Sequence, residues 1–141
     1  MSMQEQEQLQ RRRQRALVEI TRVTHRGGHP VFSSFDVTSI SGQRYRVEIR
    51  SLRELHNSCT CPDYRTNLLG TCKHIEGVLL FLKKSLRKRW TEFTQQGPTV
   101  TQIYLQYAQE INVRVSRPLP RSQKVRALLD RYFDPEGVLQ G

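Results

Sequence analysis

The sequence predicts an α+β fold in which a β-hairpin leads into a loop carrying every cysteine, a helix follows, and the C-terminal region is helical. Three observations carry that expectation. Apolar and polar residues alternate with period two on both sides of Ser39-Ile40-Ser41-Gly42. Cys59-Thr60-Cys61 and Cys72-Lys73-His74 are separated by the irregular stretch from Pro62 to Thr71. Ile75, Val78, Leu79, Leu82 and Leu86 then recur at helical spacing.

Taken in order, residues 1–15 read as a flexible polar arm, 16–96 as a folded domain around the cysteines, and 97–141 as a helical extension. Gln, Glu and Arg dominate the arm, with Leu9 its only large apolar side chain after Met3, so it buries too little to fold alone. From Ala16 two readings stand: Leu17, Ile20 and Thr24 fit one helical face, and the β-branched run from Val18 to Val23 suits a strand. Gly27-Gly28-His29-Pro30 breaks either element.

The hairpin then places Val31, Ser33, Phe35 and Val37 on its first strand, and Tyr45, Val47 and Ile49 alternate with Arg44, Arg46, Glu48 and Arg50 on its second. One face meets a core and the other is basic, either a polyanion surface or a solvated edge. The helix after His74 runs for about four turns, with Glu76 in the first turn favoured by the helix dipole. Its exposed side carries Lys83, Lys84, Arg87, Lys88 and Arg89, and Gly97-Pro98 is read as its stop. Ile103, Tyr107, Ala108 and Ile111 predict a second helix. After the break Arg117-Pro118-Leu119-Pro120, Ser122 is placed as the N-cap of a third, with Val125, Leu128, Leu129 and Tyr132 inward.

Composition excludes several functions. The longest apolar run, Val78 to Leu82, is far short of the roughly 20 residues that span a bilayer, so no membrane partner is expected. The N-terminus lacks the apolar stretch of a secretory signal and carries acids that transit peptides avoid. Neither G-x-x-x-x-G-K-[ST] nor G-x-S-x-G occurs, so nucleotide hydrolysis and nucleophile-elbow chemistry are not expected. Three cysteines within fourteen residues make a poor disulfide framework, which points to a reducing, intracellular compartment, cytoplasmic, nucleoid or nuclear.

The net charge of +10 is uneven: residues 1–58 contribute +4, residues 59–90 contribute +5 and residues 91–141 contribute +1. A basic centre of that density, in a chain of pI near 10.2, points to a polyanion, with nucleic acid the expected partner.

Three thiols and one imidazole, from Cys59, Cys61, Cys72 and His74, make the number of soft ligands that closes a tetrahedral zinc site. In an extended stretch residues two apart face one side, so Cys59 and Cys61 can hold one ion. In a helix residues two apart diverge, which places Cys72 in the loop and His74 at the helix start. Pro62 suits the turn after Cys61, and Gly70 lets the loop fold back. His74-Ile75-Glu76 also matches the first half of a zinc deaminase signature. Its second half needs two further cysteines downstream, and none follows Cys72, so no catalytic residue is expected. His56 is read as a surface residue outside a complete ligand set, and Asp63 as an acceptor for His74 or a turn cap.

The run Cys59-Thr-Cys61-Pro-Asp-Tyr followed by Gly70-Thr-Cys72-Lys-His74-Ile-Glu-Gly-Val78 resembles the SWIM zinc finger, C-x-C, a variable spacer and C-x-H opening a helix. The resemblance covers about residues 30 to 90 and implies one Zn²⁺ per chain, held by those four residues. SWIM domains occur in bacterial SWI/SNF-type helicase-related ATPases, Mutator-like transposases and recombination-accessory proteins. The resemblance therefore implies a non-enzymatic accessory or targeting module, either a stand-alone finger protein or the N-terminal piece of a larger machine.

Two functions follow as expectations. The first is low-specificity binding of nucleic acid, with DNA expected, through Arg65, Lys73, Lys83, Lys84, Arg87 and Lys88. The alternative is a zinc-stabilised adaptor that docks a protein such as a helicase-related ATPase or recombination factor through Tyr104, Tyr107, Tyr132 and Phe133.

Overall fold

The computed structural model describes residues 1–116 and 118–141, so Arg117 of the expected break at 117–120 lies outside the described residues. The chain is a small α+β fold built on a four-stranded antiparallel sheet in the order β1 (Ile20–His25), β2 (Ser34–Ser39), β3 (Arg44–Glu48) and β4 (Ser58–Cys59). The hairpin expected around Ser39 to Gly42 is β2 and β3. Gly42 takes φ +82, a conformation its lack of a Cβ makes cheap. Alternation on these strands sends Phe35, Val37 and Val47 inward, where they meet Val31, Phe32 and Ile49 from the flanking loops.

The apolar stripe of α3 (Lys73–Leu86), led by Ile75, Val78 and Leu82, closes this core from the other side. A Cβ on Gly77 would come within 2.9 Å of Ile20 Cγ1, so α3 reaches β1 this closely only because residue 77 has no side chain. All three cysteines belong to the same core cluster.

Residues 3–19 are not the expected arm but a helix, α1 (Met3–Glu19). Gln, Glu and Arg are good helix formers, and the Ser2 side chain caps the first turn by accepting from the Glu5 N–H at 3.1 Å. The undecided stretch from Ala16 divides at Glu19: helix before it, strand β1 after it. Its β-branched half pairs with β2, where the ladder supplies the bonds a helix would have offered.

Helix α3 ends earlier than the expected stop at Gly97-Pro98. Arg87 takes φ +52, and the chain continues through a 3₁₀ turn (Arg87–Arg89) into the short α4 (Trp90–Thr94), whose Phe93 joins the core.

The C-terminal region is also not wholly helical. Residues 103–115 form a second antiparallel hairpin, β5 (Ile103–Tyr107) and β6 (Ile111–Val115), where a helix was expected. Spacing of Ile103, Tyr107 and Ile111 fits a helix, but Ile-Tyr-Leu-Gln-Tyr and Ile-Asn-Val-Arg-Val alternate as strands and bury Tyr104 and Gln106 on one face. Only the last expected helix forms, α5 (Gln123–Tyr132), with Ser122 accepting from the Val125 N–H at 3.4 Å. Of its four residues expected inward only Leu129 is buried; Val125, Leu128 and Tyr132 are exposed. No helix among the described residues is long and apolar enough to cross a membrane.

Candidate metal centre

Four chemistry-bearing side chains, two pairs on either side of the loop from Pro62 to Thr71, converge where β4, α2 (Pro62–Thr66) and the start of α3 meet. Cys59 ends β4 opposite Val47, Cys61 is the N-cap of α2, Cys72 is the N-cap of α3, and His74 is in the first turn of α3. Their ligand atoms all lie within 4.8 Å of one another, and all four residues are buried. This is a group that could hold one metal ion.

Each helix cap also prepares a sulfur to carry charge. The Tyr64 N–H donates to Cys61 Sγ at 3.4 Å, and the Ile75 N–H donates to Cys72 Sγ at 3.5 Å. Without a cation the thiols share protons among themselves. Cys61 is lowered because Cys59 and Cys72 donate to it. Cys59, donating to Cys61, is pushed up to about 12, and burial pushes Cys72 up.

The loop between the two cysteine pairs is shaped by residues the motif does not contain. Gly70 turns with φ +78, against Leu55. Asn67 ties the loop shut: its Nδ2 donates to the Thr71 carbonyl at 2.8 Å and to Asp63 at 3.2 Å, and its Oδ1 accepts from the Leu69 N–H at 2.8 Å. An Asn midway through a loop is a weak signal of such a role, and the sequence reading passed over it. The Asp63 carboxylate accepts from Arg12 Nε and Nη2 at 2.9 and 2.8 Å as well as from Asn67, so it joins the loop to α1 rather than serving His74.

His74 shows what the cluster is built for. Its Nδ1 lies 3.8 Å from Cys72 Sγ, its ring is tilted against that of Tyr45 with centroids 4.8 Å apart, and its buried Nε2 has no hydrogen-bond partner among the described residues. An edge of about 3.6 Å joins nitrogen and sulfur ligands in a tetrahedral zinc site with ordinary bond lengths. Three buried thiols and an imidazole whose ligand atoms lie this close together fit a cation as the partner they share. Glu76, the other half of the deaminase-like pair, is engaged elsewhere: Arg13 Nε donates to Oε1 at 3.0 Å and Thr71 Oγ1 to Oε2 at 2.7 Å. His56 lies outside the cluster, 3.4 Å from Glu54, and burial lowers its pKa.

The six expected nucleic-acid contacts divide. Lys73 is taken by Glu19, with Nζ to Oε1 at 2.7 Å. Arg65 is exposed on α2 and donates to the Thr60 carbonyl. Lys83, Lys84, Arg87 and Lys88 are exposed where α3 runs into the 3₁₀ turn, with Lys83 over the Trp90 ring. A second basic surface includes a residue the sequence reading did not select. The register sets Arg22, Thr38 and Arg44 side by side across β1, β2 and β3, with Thr24, Asp36 and Arg46 in the adjoining row. Arg44 and Arg46 were legible in the hairpin alternation; Arg22 was hidden because its segment had no settled conformation. Arg50, expected on that face, instead lies over Tyr104 at 3.8 Å and donates to Gln102 and Ser58.

The chain matches no family model, no curated protein and no solved structure.

Proposed function

We propose that this chain is a zinc-stabilised, non-catalytic module that binds nucleic acid, with DNA the expected partner, through backbone phosphates. The cation is read as zinc because three thiolates and an imidazole are a soft, closed set that leaves no ligand position for water. When bound, zinc would cross-link β4, α2 and α3 and supply no reaction chemistry. The resemblance of C-x-C and C-x-H to the SWIM finger supports the same reading.

The observation that carries the binding proposal is the unpaired cationic surface. Arg22 and Arg44 on the sheet, Lys84 in the last turn of α3, and Arg87 and Lys88 just after it form no ion pair among the described residues. Asp36 offsets only Arg26, at 2.8 Å, and Arg46, at 4.0 Å. The rows Arg22-Thr38-Arg44 and Thr24-Asp36-Arg46 hold no aromatic ring, so they lack the stacking platform of a single-strand binder and suit phosphate contact. A titration of labelled duplex against salt tests this: steep loss of affinity with salt supports it, and weak, salt-insensitive binding contradicts it.

A second reading, a protein adaptor, keeps the exposed Tyr132 of those the sequence suggested and adds other residues. Tyr104 is buried, and Tyr107 packs on Tyr64 with its N–H donating to the Tyr64 hydroxyl, so neither is a docking residue. Ile103, Leu105 and Ile111 are exposed on the β5–β6 hairpin, and this apolar surface favours the adaptor reading. Copurification of a stoichiometric partner, lost when Ile103 and Leu105 become Lys, tests it.

A further inference from the structure

Helix α1 is held by the metal centre's own neighbours. Of its 17 residues only Ala16 is buried, and a helix so polar is marginal in water at this length. Three charged contacts fasten it, and each ends on a residue within two positions of a cluster member. Arg12 makes a bidentate pair with Asp63, two residues after Cys61. Arg13 reaches Glu76, two residues after His74, at 3.0 Å. Glu19 accepts from Lys73, between Cys72 and His74, at 2.7 Å. These are not all loose surface pairs: the Glu76 side chain is 8% exposed and that of Arg12 is 13% exposed. Losing Arg13 leaves Glu76 buried with one partner fewer, which is costly.

The charge balance runs the same way. Three thiolates and a neutral imidazole around a divalent ion carry one net negative charge, and of the two arginines Arg12 is the one that feels the thiols. Asp63 raises the Arg12 pKa most, against desolvation, and the charge of Cys72 and Cys61 raises it further, which places the guanidinium within electrostatic reach of the thiols.

We propose that docking of α1 and loading of the metal centre are coupled, with Arg12 and Arg13 as positioning residues for the cluster. The proposal rests on the metal reading above. A metal that fixes Cys61, Cys72 and His74 also fixes Asp63, Lys73 and Glu76, the anchors of α1. By reciprocity a docked α1 tightens metal binding by the same factor. Loss of the metal releases α1 first, ahead of the β2–β3 ladder, which none of the four cluster residues pairs into.

The test is competition of the full chain with a chromophoric zinc chelator, alongside amide hydrogen exchange of residues 3–19. Arg12→Ala and the milder Arg13→Gln are expected to weaken zinc by up to about 10-fold, the low end of the range for groups bonded to a ligand itself, because each acts through a ligand's neighbour. Arg11→Ala, at an exposed position, is expected to stay within about twofold of the parent chain, well short of that loss. Arg13→Lys is expected to restore most of the affinity lost in Arg13→Gln. Chelation should speed exchange in α1 before it does so in β2 and β3. Gly137→Ala, which strains a distant turn where a Cβ would lie 2.8 Å from the Val115 carbonyl, controls for general destabilisation and should keep its zinc affinity. A parent chain that binds zinc while Arg12→Ala and Arg13→Gln bind it equally well overturns the coupling alone. A parent chain that takes up no zinc overturns the metal reading itself, and the coupling with it.

Discussion

The Nδ1 of His74 and the Sγ of Cys72 lie 3.8 Å apart, two residues from each other in sequence, because Cys72 is the extended N-cap of α3 while His74 is already inside its first turn. Within a continuous helix those side chains would diverge by about 200°. The helix boundary therefore brings the two ligand atoms together, and Cys59 and Cys61 complete the set from the strand side.

Replacing Cys72 by Ser is expected to remove the metal and much of the fold together. Structural zinc is worth about 10–16 kcal/mol in finger peptides, comparable to the whole stability of a small domain. The variant should lose its cooperative melting transition. A soluble variant with an unchanged melting temperature would show that the cluster does not hold the core.

Acid is expected to release the metal, because the ligands must bind it deprotonated. Cys59 and Cys72 both sit above the ordinary thiol range when no cation is present. Zinc must therefore displace protons from them, so apparent affinity rises with pH and each binding event releases protons to the buffer. Calorimetric titration in buffers of different ionisation enthalpy measures that release, and a heat independent of buffer would contradict it.

Gly77→Val is expected to destabilise the chain by about 1–3 kcal/mol, the cost of forcing volume into a packed contact. Its side chain would meet Ile20, already 2.9 Å from where a Cβ would stand. Gly77→Ala should cost less, since Ala regains up to about 1 kcal/mol of helix propensity. Urea unfolding midpoints compare the two, and a Gly77→Val chain as stable as the parent would refute the close approach of α3 to β1.

On duplex DNA, Arg22→Ala and Arg44→Ala are each expected to lower the salt slope by about one. Lys73→Ala should leave the slope unchanged, because Glu19 already holds that ammonium. Equal effects of all three substitutions would remove the sheet surface from the proposal.

What could be read from the sequence follows from how local each signal is. The β2–β3 hairpin, α3 and the four cluster residues were legible, because period-two alternation, a helical stripe and C-x-C with C-x-H are patterns within short windows. Helix α1 was not, because it is ordered by partners 51 to 63 residues away, Asp63, Glu76 and Lys73, and composition does not register such pairs. The β5–β6 hairpin was misread as helix because Ile103, Tyr107 and Ile111 satisfy both periods. Only the pairing of Leu105 with Val113 and of Ile103 with Val115 decides between them. The same limit hid Arg22, whose place beside Thr38 and Arg44 is a property of register.

The most direct test of the central claim is elemental analysis of the purified, chelator-free chain together with its native and denatured masses. One zinc per chain, lost on denaturation with all three thiols reduced, is the expected result. A folded chain of apo mass with no bound metal would contradict it and leave four buried ligand atoms within 4.8 Å of one another without an explanation.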